Sequence, residues 1–329
     1  MDIKFFEGLA DKGVLDTGTV ERMKSDARPL SVRRELLILL YFGVLLLSTG
    51  LGILIYEHID TIGHLSIVLF VAAITSTCLA YCFRKANKPS FQKVESPNVW
   101  FDYILLLGCL TLLVFVGYVQ FKYQLFGTQW GLASFVPLVL LAFFAYYFDH
   151  LGVLSLAIVN LGAWMGITVN LLELSRISVF DSEPLIYSGL LMATLLLALS
   201  YFSERKDIKA HFSFSYRNFG IHIMFLSLLS GMFWYTHWYL AWALFVSLFA
   251  GYVFVNARRN ASFYFLLVAV LYFYIAISTV FVRLVFDTGG ILNGRGGLYL
   301  VLLYFIASAT GLVVFLVNMN KKLKAHDSL

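Results

Sequence analysis

Apolar residues fall into stretches of about twenty, divided by short polar breaks, from about residue 36 to residue 317. A helix rises about 1.5 Å per residue, so a hydrocarbon core about 30 Å thick is crossed by some 20 such residues. Ten stretches fit: about 36 to 56, 64 to 83, 101 to 121, 130 to 148, 151 to 172, 184 to 202, 217 to 236, 238 to 255, 261 to 282 and 297 to 317. Two breaks, Asp149-His150 and Thr236-His237, are very short. Length requires both, since an unbroken helix from 217 to 255 would reach about 60 Å. The pattern predicts an all-α, polytopic transmembrane helix bundle of about ten spans.

Charge then orients it. Basic residues stay on the cytoplasmic side of a bilayer, and alternating the loops puts all but Lys122, Arg176, Arg283 and Arg295 of the 24 lysines and arginines on one side. Both termini are expected in the cytoplasm. A missed helix would invert every later loop, so the split also supports the count. Aromatic anchors sit where the runs end: Trp100 and Tyr103 inside, Tyr118, Tyr123 and Trp130 outside.

Composition agrees, with 60% hydrophobic and 13% charged residues and a mean hydropathy of +0.82, against about a quarter charged in soluble domains. No polar stretch is long enough for a second folded unit. The first apolar run lacks a small-residue cleavage pattern and reads as a retained helix. Cys78, Cys82 and Cys109 lie within apolar runs and read as small buried hydrophobes, not a disulfide framework. The net charge of +5 records where the basic loops sit, and no nucleic-acid partner is expected.

Residues 1–33 are expected to form a cytoplasmic amphipathic helical hairpin, 34–318 the ten-helix membrane domain, and 319–329 a basic cytoplasmic tail. Phe5, Phe6 and Leu9 line the first short helix, Gly13 ends it, and Asp16 or Thr17 caps a second with Val20 and Met23. The hairpin is either a cap on the membrane surface or a docking element for a cytoplasmic protein partner.

The hairpin stretch GLADKGVLDTGTVERM, the first span RRELLILLYFGVLLLSTGLGILIYEHIDTIGHL and the later VGYVQFKYQLFGTQWGLASFVPLVLLAFFAYYFDHLGVLSLAIVNLGAWMGI resemble the bacterial predicted-membrane-protein family catalogued as domain of unknown function 2157. These stretches carry the resemblance over the first half of the chain, and the run of spans over the second. The family implies the architecture and brings no established activity, so no catalytic residue carries over.

Polar residues in hydrocarbon are the default place to look for function. Asn160, midway along the fifth span, is either a substrate group or a hydrogen bond to a neighbouring helix. Gly162, Gly166, Asn170 and Glu173 follow on one helical face, either as a close helix crossing with a solvated end or as an outward cavity with Glu173 as its cation or proton site. Glu57, His58, Asp60 and His64 are metal-ligand types without a metal-site spacing. No cofactor is expected.

Asp149 and His150 are explained by turn formation and capping, since no nucleophile accompanies them. His222 either titrates near neutral pH or bonds an adjacent helix. Trp234, Tyr235, His237, Trp238, Tyr239 and Trp242 gather at one outer turn, where an aromatic belt is expected and where Trp234 and Trp238 are candidate substrate stackers. The glycine-rich run from Asp287 to Gly297 lacks the order of a phosphate loop.

Three function classes remain: a small-molecule or lipid transporter, a membrane scaffold or sensor docking a partner through the hairpin, and an intramembrane enzyme on lipid-linked substrates. The last would need convergent polar residues at one depth, which only Glu57, His58, Asp60, Glu173 and Asp181 supply.

Overall fold

The computed structural model describes residues 33–57, 63–169, 183–287 and 295–326. The amino-terminal hairpin, His58, Asp60, Asn170, Glu173, Asp181 and the glycine-rich run from Thr288 to Gly294 lie outside them. The described residues form ten α-helices and no strand. They are α1 (Arg33–Glu57), α2 (His64–Lys85), α3 (Val99–Tyr123), α4 (Trp130–Phe148), α5 (Leu151–Val169), α6 (Glu183–Lys206), α7 (Ser213–Trp234), α8 (Tyr239–Arg259), α9 (Phe263–Asp287) and α10 (Arg295–His326).

Each helix overlies one of the ten apolar stretches. Eight are long and apolar enough to cross a membrane. The other two are α1, with a shorter apolar run at Ile38–Leu54, and α7, which carries Arg217, Asn218 and His222. Both short breaks are real: α4 stops at Phe148 and α5 starts at Leu151, while a 3-10 turn, Thr236–Trp238, separates α7 from α8. The protein is therefore a polytopic helical membrane protein.

Turn chemistry fixes where the helices stop. Asp149, Asp207, Lys209 and Ala261 take φ between 49° and 57°, a left-handed geometry that an α-helix cannot continue through. The backbone N–H of Asp149 returns to the Ala145 carbonyl and closes α4. Between α3 and α4 the closure comes from a buried side chain. Gln120 Nε2 donates to the Gly127 carbonyl at 2.8 Å and its Oε1 accepts from Phe126 N–H at 2.9 Å.

The chain divides into two compact units. Of the described residues, the first holds those up to Lys85 together with Pro97–Phe115. In it Gly108 lets α3 approach α2, since a Cβ there would lie 3.0 Å from that of Cys78. Thr75 Oγ1 donates to Thr111 Oγ1 at 3.0 Å, and Cys82 and Cys109 are buried. All three cysteines are free, as small apolar residues would be.

The second unit holds Ala86–Ser96 and the described residues from Val116 onward. Its core is shared by α7, α8 and α9, with Phe225, Met232, Val246 and Leu266 fully buried. Ala243, Val246, Ala250, Val253 and Ala257 are the buried residues of α8. Their alternating spacing of three and four is the seam of a left-handed helix crossing, and the alanines let the helices come close. Leu240, Leu244 and Leu248 on the same helix are exposed. A helix apolar on both its packed and its exposed faces is one surrounded partly by lipid.

Candidate functional site

Polar side chains converge where α6, α7 and α8 reach the end of the bundle that carries the basic turns. A cavity of about 380 Å³ opens there. It is lined by Ser200, Glu204, Arg217, Tyr252, Asn256 and Asn260 on its polar side and walled by Leu197, Ile221, Val253 and Phe265. The volume lies within the range of small-molecule sites.

Its groups are ordered by the hairpin of α6 and α7. Gly220 permits that hairpin to close, since a Cβ there would meet Leu197 at 3.0 Å. Across the turn the Arg217 guanidinium pairs with the Glu204 carboxylate. Ser213 Oγ donates to Glu204 at 2.9 Å, and Ser200 Oγ donates to the Ser213 carbonyl at 3.0 Å. On α8, Asn260 Nδ2 donates to Asn256 Oδ1 at 3.2 Å. Arg217 is 20% exposed and Glu204 46%, so the carboxylate stands at the mouth and the guanidinium further in.

Deeper on α7, His222 bridges two tyrosines of α9. Tyr264 O–H donates to Asn218 Oδ1 at 2.7 Å, so its oxygen is left to accept from His222 Nε2–H, 3.0 Å away. In the neutral ring Nδ1 then accepts from Tyr272 O–H at 3.1 Å. The histidine thus bonds an adjacent helix, one of the two roles expected of it.

A second polar centre pins the turns at this end. The Asp149 carboxylate, 1% exposed, accepts from Lys209 Nζ at 2.9 Å and lies 2.7 Å from His211 Nε2. It also accepts from the Val94 backbone N–H, and Lys209 N–H donates to the Phe91 carbonyl at 2.8 Å. One carboxylate therefore joins the α4–α5 turn, the α6–α7 turn and the segment after α2. Charge alternation assigns all three to one side of the membrane.

Beside it His150 Nδ1 accepts from the Val153 N–H at 3.1 Å, the geometry of a residue capping α5. His150→Ala is expected to lower stability by about 1 kcal/mol. Thermal unfolding in detergent checks this, and an unchanged melting temperature would show the cap to be idle.

Asn160 donates its Nδ2 to the Ser134 carbonyl of α4 at 2.9 Å, and Gly162 packs against Met192 of α6. Trp234 and Trp238 are exposed at the opposite end of the unit from the polar cavity. Within that aromatic group Trp242 stacks on Tyr235 with ring centroids 5.6 Å apart. His64 opens α2, and no cluster of three or more His, Cys, Asp or Glu able to hold a metal occurs among the described residues. The structure brings none of Asn160, Trp234 and Trp238 into the polar cavity.

An apolar groove of about 430 Å³ lies among α8, α9 and α10, bordered by Ser247, Gly251, Phe254, Phe273, Gly311 and Phe315. Its α8 residues and those of the polar cavity point to opposite faces of that helix at 100° per residue.

No curated protein and no solved structure matches the chain. The residues that line the polar cavity all lie beyond the stretch that matches a family model. Residues 7–154 match the family model described as a predicted membrane protein (DUF2157), a stretch that ends within α5.

Proposed function

We propose that this protein is a transporter of a small molecule or lipid in the bacterial inner membrane, with the polar cavity as its substrate site. The observation that carries the reading is the convergence of Glu204, Arg217, Tyr252 and Asn256 on one amphipathic cavity of about 380 Å³. A helical scaffold has no need to gather charged and carboxamide groups around one cavity, whereas a few convergent polar groups on an apolar wall are what a small-molecule site requires. In this reading residues 34–318 form ten spans, with 1–33 and 319–329 in the cytoplasm. The one-sided distribution of basic residues supports a cytoplasmic mouth for the cavity.

The test is access. Ser200→Cys, in a chain whose three native cysteines are replaced by alanine, is exposed to a membrane-impermeant thiol reagent in intact cells and in inside-out vesicles. A transporter should label from both sides, at rates that shift when substrate is present. Labelling from the cytoplasmic side alone would sink the transport reading and favour a membrane scaffold or sensor that docks a cytoplasmic partner.

A further inference from the structure

We infer that the polar cavity binds a phosphate-bearing anion, and specifically the headgroup of an anionic lipid of the cytoplasmic leaflet; the inference rests on reading that cavity as the substrate site. Three observations carry it.

The first is the balance of charge. Among the described residues Glu204 is the only acid lining the cavity, and it is already engaged by Arg217 and Ser213. Arg217 hydrogen-bonds Glu204 through Nη2, and a guanidinium has five N–H donors in a planar fork that matches two phosphate oxygens. Arg205 ends α6 beside this mouth, and Arg258 and Arg259 end α8. The last turns of α6 and α8, where the cavity opens, are thus rich in basic residues.

The second is the set of neutral partners. Tyr252, Asn256 and Asn260 supply hydroxyl and carboxamide donors from α8 opposite the guanidinium. Phosphate oxygens left over by a bidentate arginine contact are satisfied by donors of this kind.

The third is shape and depth. The lining runs from Glu204, Arg217 and Asn260 at the helix ends to Leu197, Ile221 and Val253 further in. Seven residues of helix separate Glu204 from Leu197, about 10 Å. A glycerophosphate at the mouth therefore has its acyl esters against the apolar wall. Basic pockets between helices on the cytoplasmic side are suited to such headgroups. A free phosphate ester shares the headgroup chemistry and leaves the apolar wall unused.

The experiment measures retention of phosphatidylglycerol, phosphatidylcholine and glycerol 3-phosphate by the purified full chain in detergent, using native mass spectrometry. Phosphatidylglycerol should bind at least about tenfold more tightly than either other probe. Arg217→Gln should abolish that preference. Glu204→Gln, which removes the competing carboxylate and leaves the guanidinium, should strengthen it severalfold. Opposite signs for the two variants are the signature of an anion site, because a merely structural ion pair would weaken in both.

Glycerol 3-phosphate binding as tightly as the lipid would overturn the lipid assignment and leave a soluble phosphate ester. Equal retention of phosphatidylglycerol and phosphatidylcholine, or changes of the same sign in both variants, would overturn the inference altogether. These outcomes are separate from thiol access: two-sided labelling without headgroup preference removes the ligand and keeps the transporter, and one-sided labelling with preference does the reverse.

Discussion

Lys209→Met is expected to lower the stability of the detergent-solubilised protein by about 3–5 kcal/mol, the usual consequence of leaving one member of a buried ion pair without the other. The side chains of Lys209 and Asp149 are 3% and 1% exposed. After the substitution the carboxylate keeps the Val94 N–H and His211 as neighbours but loses the ammonium at 2.9 Å. A fall in melting temperature on the order of 10 °C should result. Adding Asp149→Asn should return much of the loss, since the carboxamide oxygen can still accept from Val94 and no buried charge is left over. The double variant is thus expected to be more stable than Lys209→Met alone. Additive losses, or a single-variant cost below about 1 kcal/mol, would mean that the pair is wetter and weaker than its geometry implies.

That ion pair also marks where the sequence stops being informative. Hydropathy located the helices because lipid leaves a spanning backbone no partner but itself, and every apolar stretch of spanning length became helix. Helix ends were less legible. Hydropathy falls at Ser203 to Lys206, yet α6 runs on to Lys206, because charge ends a hydrocarbon segment and not a helix. The stop comes from left-handed Asp207 and Lys209, a backbone property with no periodicity to betray it.

Depth was legible least of all. Lys209 and Arg217 look alike in a charge count and serve equally to orient the loops. One is buried against a carboxylate 60 positions away in sequence, and the other lines a cavity. Nothing local in the sequence reports such distant pairing.

A weaker signal for the cavity was nevertheless present. Ser200 and Glu204, Ser213 and Arg217, and Asn256 and Asn260 are three polar pairs spaced four apart, each pair on one helix face. All three fall at the ends that alternation places on the same side. Each pair sits at interfacial depth, where polar groups are ordinary, so none stands out as a polar residue in mid-membrane does. Asn160, central in its span, bonds a neighbouring helix. His222 does the same, although its chain through Tyr264 to Asn218 requires knowing which helix lies opposite.

At the other end of α7 a single methyl group should have an outsized effect. Gly231 faces the Trp242 indole so closely that a Cβ would lie 2.5 Å from its Cε3 and Cζ3 atoms, well inside van der Waals contact. The ring cannot simply swing aside, because its other neighbour is Tyr235, stacked within 3° of parallel, whose hydroxyl meets that of Tyr187 on α6 at 3.2 Å. Gly231→Ala must therefore displace the indole or part α7 from α8. Overpacking of this kind costs about 1–3 kcal/mol, with the expected value at the upper end. Gly251→Ala is the control: its Cβ would meet nothing within 4 Å, so the gain in helix propensity, about 0.5–1 kcal/mol, is unopposed and the protein should be unchanged or slightly more stable. Combining Gly231→Ala with Trp242→Ala should cost less than the two losses added together, with a coupling on the order of 1–3 kcal/mol. Strict additivity would mean that the alanine is accommodated without touching the indole, and the close approach of α7 and α8 at that end would then have to rest on other contacts.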